Sequence, residues 1–393
     1  MAVIAVAMAL ALAFRPEKPS ELVKGWSTAP VEGGEDAVIA DAASAPFGVV
    51  AVGRRDRDRG QDAVVWLTVD GHAWRPVEVE IEPPGAVPDR RLTAVAASND
   101  LLVAGGVEDG LSGMWVSADE GSTWERVPHD EVVFLPGEIT GIAHLEQKGW
   151  VAVGHGRHRG ERIPVVLNSP DGYLWERVEP PQIGNVGEEG VTDVTPGGTG
   201  ALAGGYSEDP SGDTTVVHTP FWSSEDARSW KQLPDSEGVF PPATIVRAMT
   251  QAEKATVGLA EVEEEGRTSV VAFRSLDDGN TWAASRPLPT AHATSPRAAA
   301  GAASARVAGV TTSPDGFLVA VGTLEEGDHV RLAVWISADA ADWELLADPH
   351  LEAATGVEAS AVGAAQRQTV VLGHEEAGAV AWVHGPPGSP GSG

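Results

Sequence analysis

Tryptophan returns through this chain at a nearly constant interval, which confines the fold to a repeat architecture. Trp74, Trp124, Trp175, Trp230, Trp282 and Trp343 stand 50, 51, 55, 52 and 61 residues apart. A second column, Trp66, Trp115, Leu167, Trp222, Phe273 and Trp335, precedes them by eight or nine residues. Trp382 continues that second column with no later tryptophan to pair with, and Trp26 lies 48 residues before Trp74 with no earlier one. Together these two complete a seventh unit, and 12 of the 13 tryptophans, all but Trp150, fall in the columns.

Each unit reads as four strands. The first is rich in small residues (Thr93-Ala94-Val95-Ala96, Thr140-Gly141-Ile142-Ala143, Ala308-Gly309-Val310-Thr311). The second ends near glycine (Val50-Ala51-Val52-Gly53, Val151-Ala152-Val153-Gly154), and the third is a continuous apolar run such as Val64-Val65-Trp66-Leu67. The fourth opens on the recurring Trp, as in Trp124-Glu125-Arg126-Val127. Small residues suit strands crowded around an axis, and unbroken apolar runs suit strands covered on both faces. Each Trp withdraws about 150–250 Å² from water, an upper-bound gain of roughly 4–6 kcal/mol. The pattern predicts an all-β, seven-bladed β-propeller of four-stranded antiparallel blades over residues 26–385. The split seventh unit predicts how the ring closes: the N-terminal strand starting at Trp26 joins the outer edge of the last blade, which contains Trp382. Closure hides sheet edges that would otherwise invite aggregation.

Between third and fourth strands sits a recurring turn. Ser117-Ala118-Asp119-Glu120-Gly121-Ser122-Thr123-Trp124 and Ser275-Leu276-Asp277-Asp278-Gly279-Asn280-Thr281-Trp282 share one spacing. Four more, Thr68–Trp74, Ser169–Trp175, Ser224–Trp230 and Ser337–Trp343, are one residue shorter and centre on Asp70, Asp171, Asp226 and Asp339. The pattern Ser-x-Asp-x-Gly-x-Thr-Trp resembles the Asp-box (BNR) repeat of the sialidase-like superfamily, and the resemblance runs from Trp26 to Trp382. An Asp carboxylate at this position accepts hydrogen bonds from its own turn. Asp70, Asp119, Asp171, Asp226, Asp277 and Asp339 are therefore expected to build hairpins and not to form a catalytic or calcium site.

The 57 acidic residues outnumber 27 basic ones, a formal charge of −30 that repels nucleic acid and anionic lipid. Cysteine is absent, which removes disulfides, thiolate metal sites and cysteine nucleophiles. The preference for Arg over Lys, with abundant Ala, Gly, Val and Pro, points to a GC-rich bacterial genome. Residues 1–25 carry an unbroken apolar run, Ala2 to Phe14, which as a helix spans about 20 Å against a hydrocarbon core of about 30 Å. It reads as a signal or anchor segment, so the chain is expected outside the cytoplasm, secreted or tethered to a membrane. Residues 386–393 read as a flexible Gly/Pro/Ser tail.

The resemblance raises the question of sialidase chemistry. Sialidases as a family use a tyrosine nucleophile paired with a glutamate, an arginine triad on the substrate carboxylate and an aspartate acid/base. This chain has two tyrosines: Tyr173 within a turn and Tyr206 in a reading that places it between second and third strands. Arg162-Ile163-Pro164 echoes a family motif but follows two of the turns where the family places it before them. No catalytic residue, cofactor or metal is assigned; His155, His158 and Glu161 offer metal donors, but neighbouring arginines repel a cation.

The informative feature is charge layout. Loops joining second to third strands lie opposite the Asp turns. Those of the first and third units are basic: Arg54, Arg55, Arg57 and Arg59, then Arg157, His158, Arg159 and Arg162. Later units carry Glu261 to Glu265, Glu325-Glu326 and Glu375-Glu376. A basic sector facing an acidic one is a docking site for an acidic protein segment or an anionic glycan. The expectation is a monomeric, non-enzymatic binding scaffold, with a sialidase-like glycoside hydrolase as the alternative. A hydrolase requires an axial pocket with a carboxylate pair and aromatic walls; a scaffold requires only a narrow, small-residue channel.

Overall fold

The computed structural model describes residues 24–79, 89–128, 130, 132–158, 161–178, 188–198, 200–211, 214–218, 221–233, 238–241, 244–253, 255–292 and 303–385. Side chains are described for all of these except 158, 161, 188, 189, 207–211, 214–218 and 365. The apolar run near the N-terminus, the C-terminal tail, Arg159 and residues 297–302 lie outside the described residues. No described helix is long and apolar enough to cross a membrane.

Small and β-branched residues dominate the strands, and they pair into seven separate antiparallel sheets. Blades 1 to 6 follow chain order over 37–78, 90–126, 137–177, 188–232, 244–284 and 304–345, each sheet running from first strand to fourth, and blade 4 carries a fifth strand, Thr214–His218, paired with the end of its second. Blade 7 takes three strands from 358–384 and its outermost from the start of the chain. Trp26–Glu35 lies antiparallel to Gly378–His384, with Trp26 opposite His384 and Thr28 opposite Trp382. This is the closure that the unpaired tryptophans predict.

The closing strand is held on both faces, as the period of two in a strand requires. Trp26, 2% exposed, packs with Val334, Ile336 and Leu351 toward blade 6, while Ala29 and Val31 pack with Trp66 and Trp74 of blade 1. Asp348, 3% exposed, caps the short helix Pro349–Glu352 by accepting from the His350 N–H at 2.8 Å. Its other oxygen accepts from the N–H groups of Gly25 at 3.1 Å and Trp26 at 3.5 Å. The His384 ring lies 5.4 Å from that of Trp26.

The core lies between blades, not within them. Val50, Val52 and Val65 of blade 1 share one cluster with Leu92, Trp115 and Trp124 of blade 2, and the pattern repeats around the ring. The fourth strands are short, only Glu125–Arg126 in blade 2 and Glu344–Leu345 in blade 6, and each begins just after its Trp and not on it. The Trp instead belongs to the turn: Trp124 Nε1 donates to the Gly121 carbonyl at 3.1 Å and Trp175 Nε1 to that of Gly172 at 2.7 Å.

The turn aspartates act within their own hairpins. Asp119 accepts from the Thr123 N–H at 2.8 Å and hydroxyl at 2.7 Å; Asp226 accepts from the Arg228 and Ser229 N–H groups at 2.8 and 2.6 Å. The Ser229 N–H is the main cause holding the Asp226 carboxyl down to about 2. In Asp119, Asp171, Asp277 and Asp339 burial pushes upward, but turn hydrogen bonds outweigh it and the carboxyl sits below its usual value. The residue after the central dipeptide needs positive φ, supplied by Gly121 at 81° and, less easily, by Ala227 at 62° and Ala340 at 61°.

Two readings of the sequence change. Second strands run further than their apolar patterns: Gly48–Asp56 includes Arg54 and Arg55, Gly149–His158 includes His155 and Arg157, and Ala201–Ser211 includes Tyr206. Backbone pairing continues where side chains turn polar. The Ala-rich stretch Arg297 to Ala305, which the sequence suggests as a short helix or a disordered segment, ends in a strand instead: Ser304, Ala305 and Arg306 open the first strand of blade 6, Ser304–Thr312.

Candidate functional site

The seven innermost strands share a feature invisible in composition. Each carries a register shift, between Ile39 and Asp41, Leu92 and Ala94, Ile139 and Gly141, Val191 and Asp193, Val246 and Ala248, Val307 and Gly309, and Ala359 and Ala361. One extra residue there bends the strand and re-aims its side chains. The extra residues, Ala40, Thr93, Thr140, Thr192, Arg247, Ala308 and Ser360, form a ring around the axis.

A side-chain bond crosses every blade junction near this ring. Thr93 donates its hydroxyl to the Ile139 carbonyl at 2.5 Å, and Thr140 to that of Val191 at 2.9 Å. Asp41 accepts from the Val95 N–H at 2.8 Å, Asp193 from the Met249 N–H at 2.6 Å and Glu261 from the Val307 N–H at 3.3 Å. Thr323 accepts from the Ala359 N–H at 3.1 Å, and Ser44 from the Ala364 N–H at 2.9 Å. Blades meet face to face without shared ladders, so these bonds fix their relative position.

Below the ring runs an axial channel of about 460 Å³, walled mainly by small residues of the first strands, with His144, Asp41 and Asp193 among them. Each aspartate is enclosed by the ring but half-buried by surface, because the channel touches it. Both oxygens of each are occupied: the second oxygen of Asp41 accepts from the Ala42 N–H at 2.8 Å and that of Asp193 from the Val194 N–H at 2.7 Å. Enclosure outweighs these bonds and pushes both carboxyls up to about 7, with the Asp41 charge adding to the shift at Asp193. Gly141 makes room for this arrangement, since a Cβ there would meet Asp193 Oδ1 at 2.7 Å.

Above the ring, on the face away from the Asp turns, the channel widens into a funnel of about 600 Å³. Ala40, Thr93, Thr140 and Arg247 line both spaces, so the two are continuous. Four arginines converge on the funnel, Arg54 from blade 1, Arg91 from blade 2, Arg162 from blade 3 and Arg247 from blade 5, with Glu138, His155 and Tyr206 between them. Arg54 pairs with Asp56 at 3.2 Å, Arg91 with Glu138 at 3.5 Å and Arg247 with Glu261 at 3.0 Å. Arg162 meets no carboxylate among the described residues. Its guanidinium lies 5.6 Å from the centre of the Tyr206 ring, and its enclosed Nε has no hydrogen-bond partner. Burial first, then the Arg162 charge, pushes His155 below its usual value, so the imidazole is neutral at pH 7. The funnel wall thus gathers guanidinium groups, a neutral imidazole and an aromatic ring.

The candidate binding residues separate into groups. Arg54 and Arg162 line the funnel. Arg55 instead donates to the Gly33 carbonyl at 2.7 Å, and Arg57 pairs with Asp62 at 3.1 Å. Arg59 and Arg157 are exposed on the rim, away from the funnel wall, while the His158 side chain and Arg159 lie outside the description. Asp56, Asp58, Glu375 and Glu376 surround Arg57 at the border of blades 1 and 7, so the rim there is acidic. Among the described residues no group of three or more His, Asp or Glu side chains is placed to hold a metal. Arg91, Arg247, Asp41 and Asp193 were not singled out from sequence; aligning the first strands at their midpoints would have exposed them as charges among small residues.

No protein-family profile matches the chain, and no curated protein matches it in sequence. Its structure is similar to the GH74 enzyme of Niastella koreensis, with a TM-score of 0.53 and 11% identity over 91% of this chain and 53% of that one. It is similar to the endosialidase of phage phi92, with a TM-score of 0.50 and 10% identity over 94% of this chain and 70% of that one. The β-propeller domain of the Trilobed protease of Pyrococcus furiosus aligns with a TM-score of 0.49 and 10% identity over 89% of this chain and 94% of that domain. The chain is thus a seven-bladed propeller with structural neighbours among sialidases and glycoside hydrolases.

Proposed function

We propose that this propeller is a binding module, working outside the cytoplasm, that captures an anionic group in its axial funnel, with the acidic unit of a glycan as the ligand. One observation carries the reading. In a chain of formal charge −30, arginines from four separate blades converge on one cavity. Gathering like charges is unfavourable unless something compensates, and Arg162 retains no acidic partner among the described residues. Tyr206, 7% exposed, lines the funnel beneath the Arg162 guanidinium and supports it there. The six aspartate turns are, on this reading, Asp-box repeats that hold the scaffold.

Glycoside hydrolysis is the second reading, and the combination of clustered arginines with a tyrosine favours it. Against it, Glu138 is paired with Arg91, and Asp41 and Asp193 have both oxygens occupied by backbone N–H groups. Each of these carboxylates is thus already engaged by protein groups and not turned to a substrate.

Calorimetry with N-acetylneuraminate, glucuronate, glucose and a hexaglutamate peptide separates these readings. The acidic sugars should bind and glucose should not. R162A should weaken binding about 10- to 100-fold, the worth of a hydrogen-bonded charge. Equal affinity for glucose, or an unchanged R162A variant, sinks the proposal. Tighter binding of hexaglutamate shifts the ligand to an acidic protein segment, and release of sugar from a fluorogenic glycoside establishes the hydrolase reading.

A further inference from the structure

The channel and the funnel share walls, so charge in one acts on the other. Asp41 directly follows Ala40, which lines both spaces, and Asp193 directly follows Thr192, which lines the funnel. Arg247 faces both. We infer that Asp41 and Asp193 regulate the funnel's affinity for anions through their protonation, so that the site binds tightly in mildly acidic surroundings and releases above neutral pH. The inference rests on the funnel being an anion site.

The charged and titratable groups in this space are few. In the channel wall they are His144, Asp41, Asp193 and Arg247. In the funnel wall they are Arg54, Arg91, Glu138, His155, Arg162 and Tyr206. The arginines keep their charge throughout the physiological range. Burial is the main cause holding His144 and His155 below the usual histidine value, so both are mainly neutral at pH 7. The two aspartates are the groups whose charge changes near neutrality, since enclosure moves both to about 7. Ionised, they place two negative charges in the channel that shares walls with the funnel; protonated, they remove them.

Placement favours action on the ligand over action on the fold alone. Four other blade junctions are bridged by the hydroxyls of Thr93, Thr140, Thr323 and Ser44, so an ionisable group is not needed to hold blades together. Asp41 and Asp193 come from blades 1 and 4 yet interact electrostatically across the channel. In an enclosed, poorly screened space a unit charge about 10 Å away changes anion affinity on the order of tenfold.

Inorganic sulfate is the probe, because its charge is constant between pH 5.5 and pH 8.5. Its affinity for the wild-type chain should fall at least ~10-fold across that interval. Binding at pH 7 should be accompanied by proton uptake, read as a buffer-dependent enthalpy. D41N/D193N should keep the acidic-pH affinity at pH 8.5 and take up no protons. If the double variant does not fold, D41N and D193N separately should each remove part of the pH dependence. H155Q should leave most of it in place. An unchanged pH profile in the aspartate variants, or its loss in H155Q alone, overturns the regulation while leaving the anion site standing. Absence of sulfate binding at every pH overturns both.

Discussion

Deleting the strand Trp26–Glu35 should make the last blade open before the rest of the ring. The loss exposes the strand Gly378–His384 along its full edge and uncovers Trp382, which is 2% exposed in the closed ring. It also removes the partner of Asp348 and the side chain that joins blade 7 to blade 6. Hydrogen exchange should show rapid labelling of 358–384 while blades 2 to 4 stay protected. Two point variants grade the effect. W26A should lower the unfolding free energy by about 3–5 kcal/mol, as for other large aromatic truncations. D348A should lower it by about 1–3 kcal/mol, because it leaves backbone donors unsatisfied. Protection of 358–384 that is unchanged in the truncated chain would mean that the ring does not depend on this closure.

Stability should rise as pH falls from 8 toward 5.5, and the two channel aspartates should account for the slope. Their folded value of about 7 lies above the ordinary 3.8, so between those limits the folded state holds protons that the unfolded chain has released. Stability gained this way is complete below the ordinary value and is lost as pH rises through 7. Each aspartate contributes on the order of 1–2 kcal/mol between pH 8 and 5.5. Asp226 has the opposite sign: its value is lowered to about 2, so its contribution is present above 3.8 and disappears in stronger acid. The stability maximum therefore falls in the mildly acidic range. Denaturant melts of D41N/D193N should show a flattened profile between pH 5.5 and 8, with the variant more stable than wild type at pH 8. Wild-type and variant curves of equal slope would assign the pH dependence to the surface charge instead.

The scaffold was legible because burying large aromatics leaves a spaced trace. Trp66, Trp115, Trp222 and Trp335 sit at 0–1% exposure in equivalent third strands, where Leu167 and Phe273 fill the same position in blades 3 and 5. Trp26 and Trp382 disclosed the closure for the same reason. The site left no such trace. Arg54, Arg91, Arg162 and Arg247 are far apart in sequence and meet only because seven strand centres converge on one axis. Each inner bulge is a single extra residue without a turn signal, so the apolar pattern alone does not mark the ring of Ala40, Thr93, Thr140, Thr192 and Arg247. Arg54 and Arg162 were noticed as members of basic segments. Strand pairing, which the apolar pattern did not follow to its end, puts Arg54 and Arg55 on opposite faces of their strand and sets Arg157 directly across the ladder from Arg162.

The axial contents also explain why neither sequence expectation describes the molecule alone. The channel is narrow and lined by small residues, as a scaffold requires, yet it holds two carboxylates and opens into an arginine-lined funnel. Chemistry at the axis thus exceeds what ring assembly needs, and the bound form of an acidic sugar is the direct way to see what it serves. A crystal structure grown with N-acetylneuraminate or glucuronate should show the carboxylate within hydrogen-bonding distance of the Arg162 guanidinium. An empty funnel, with the ligand on the outer rim beside Arg59 or Arg157, would contradict the account.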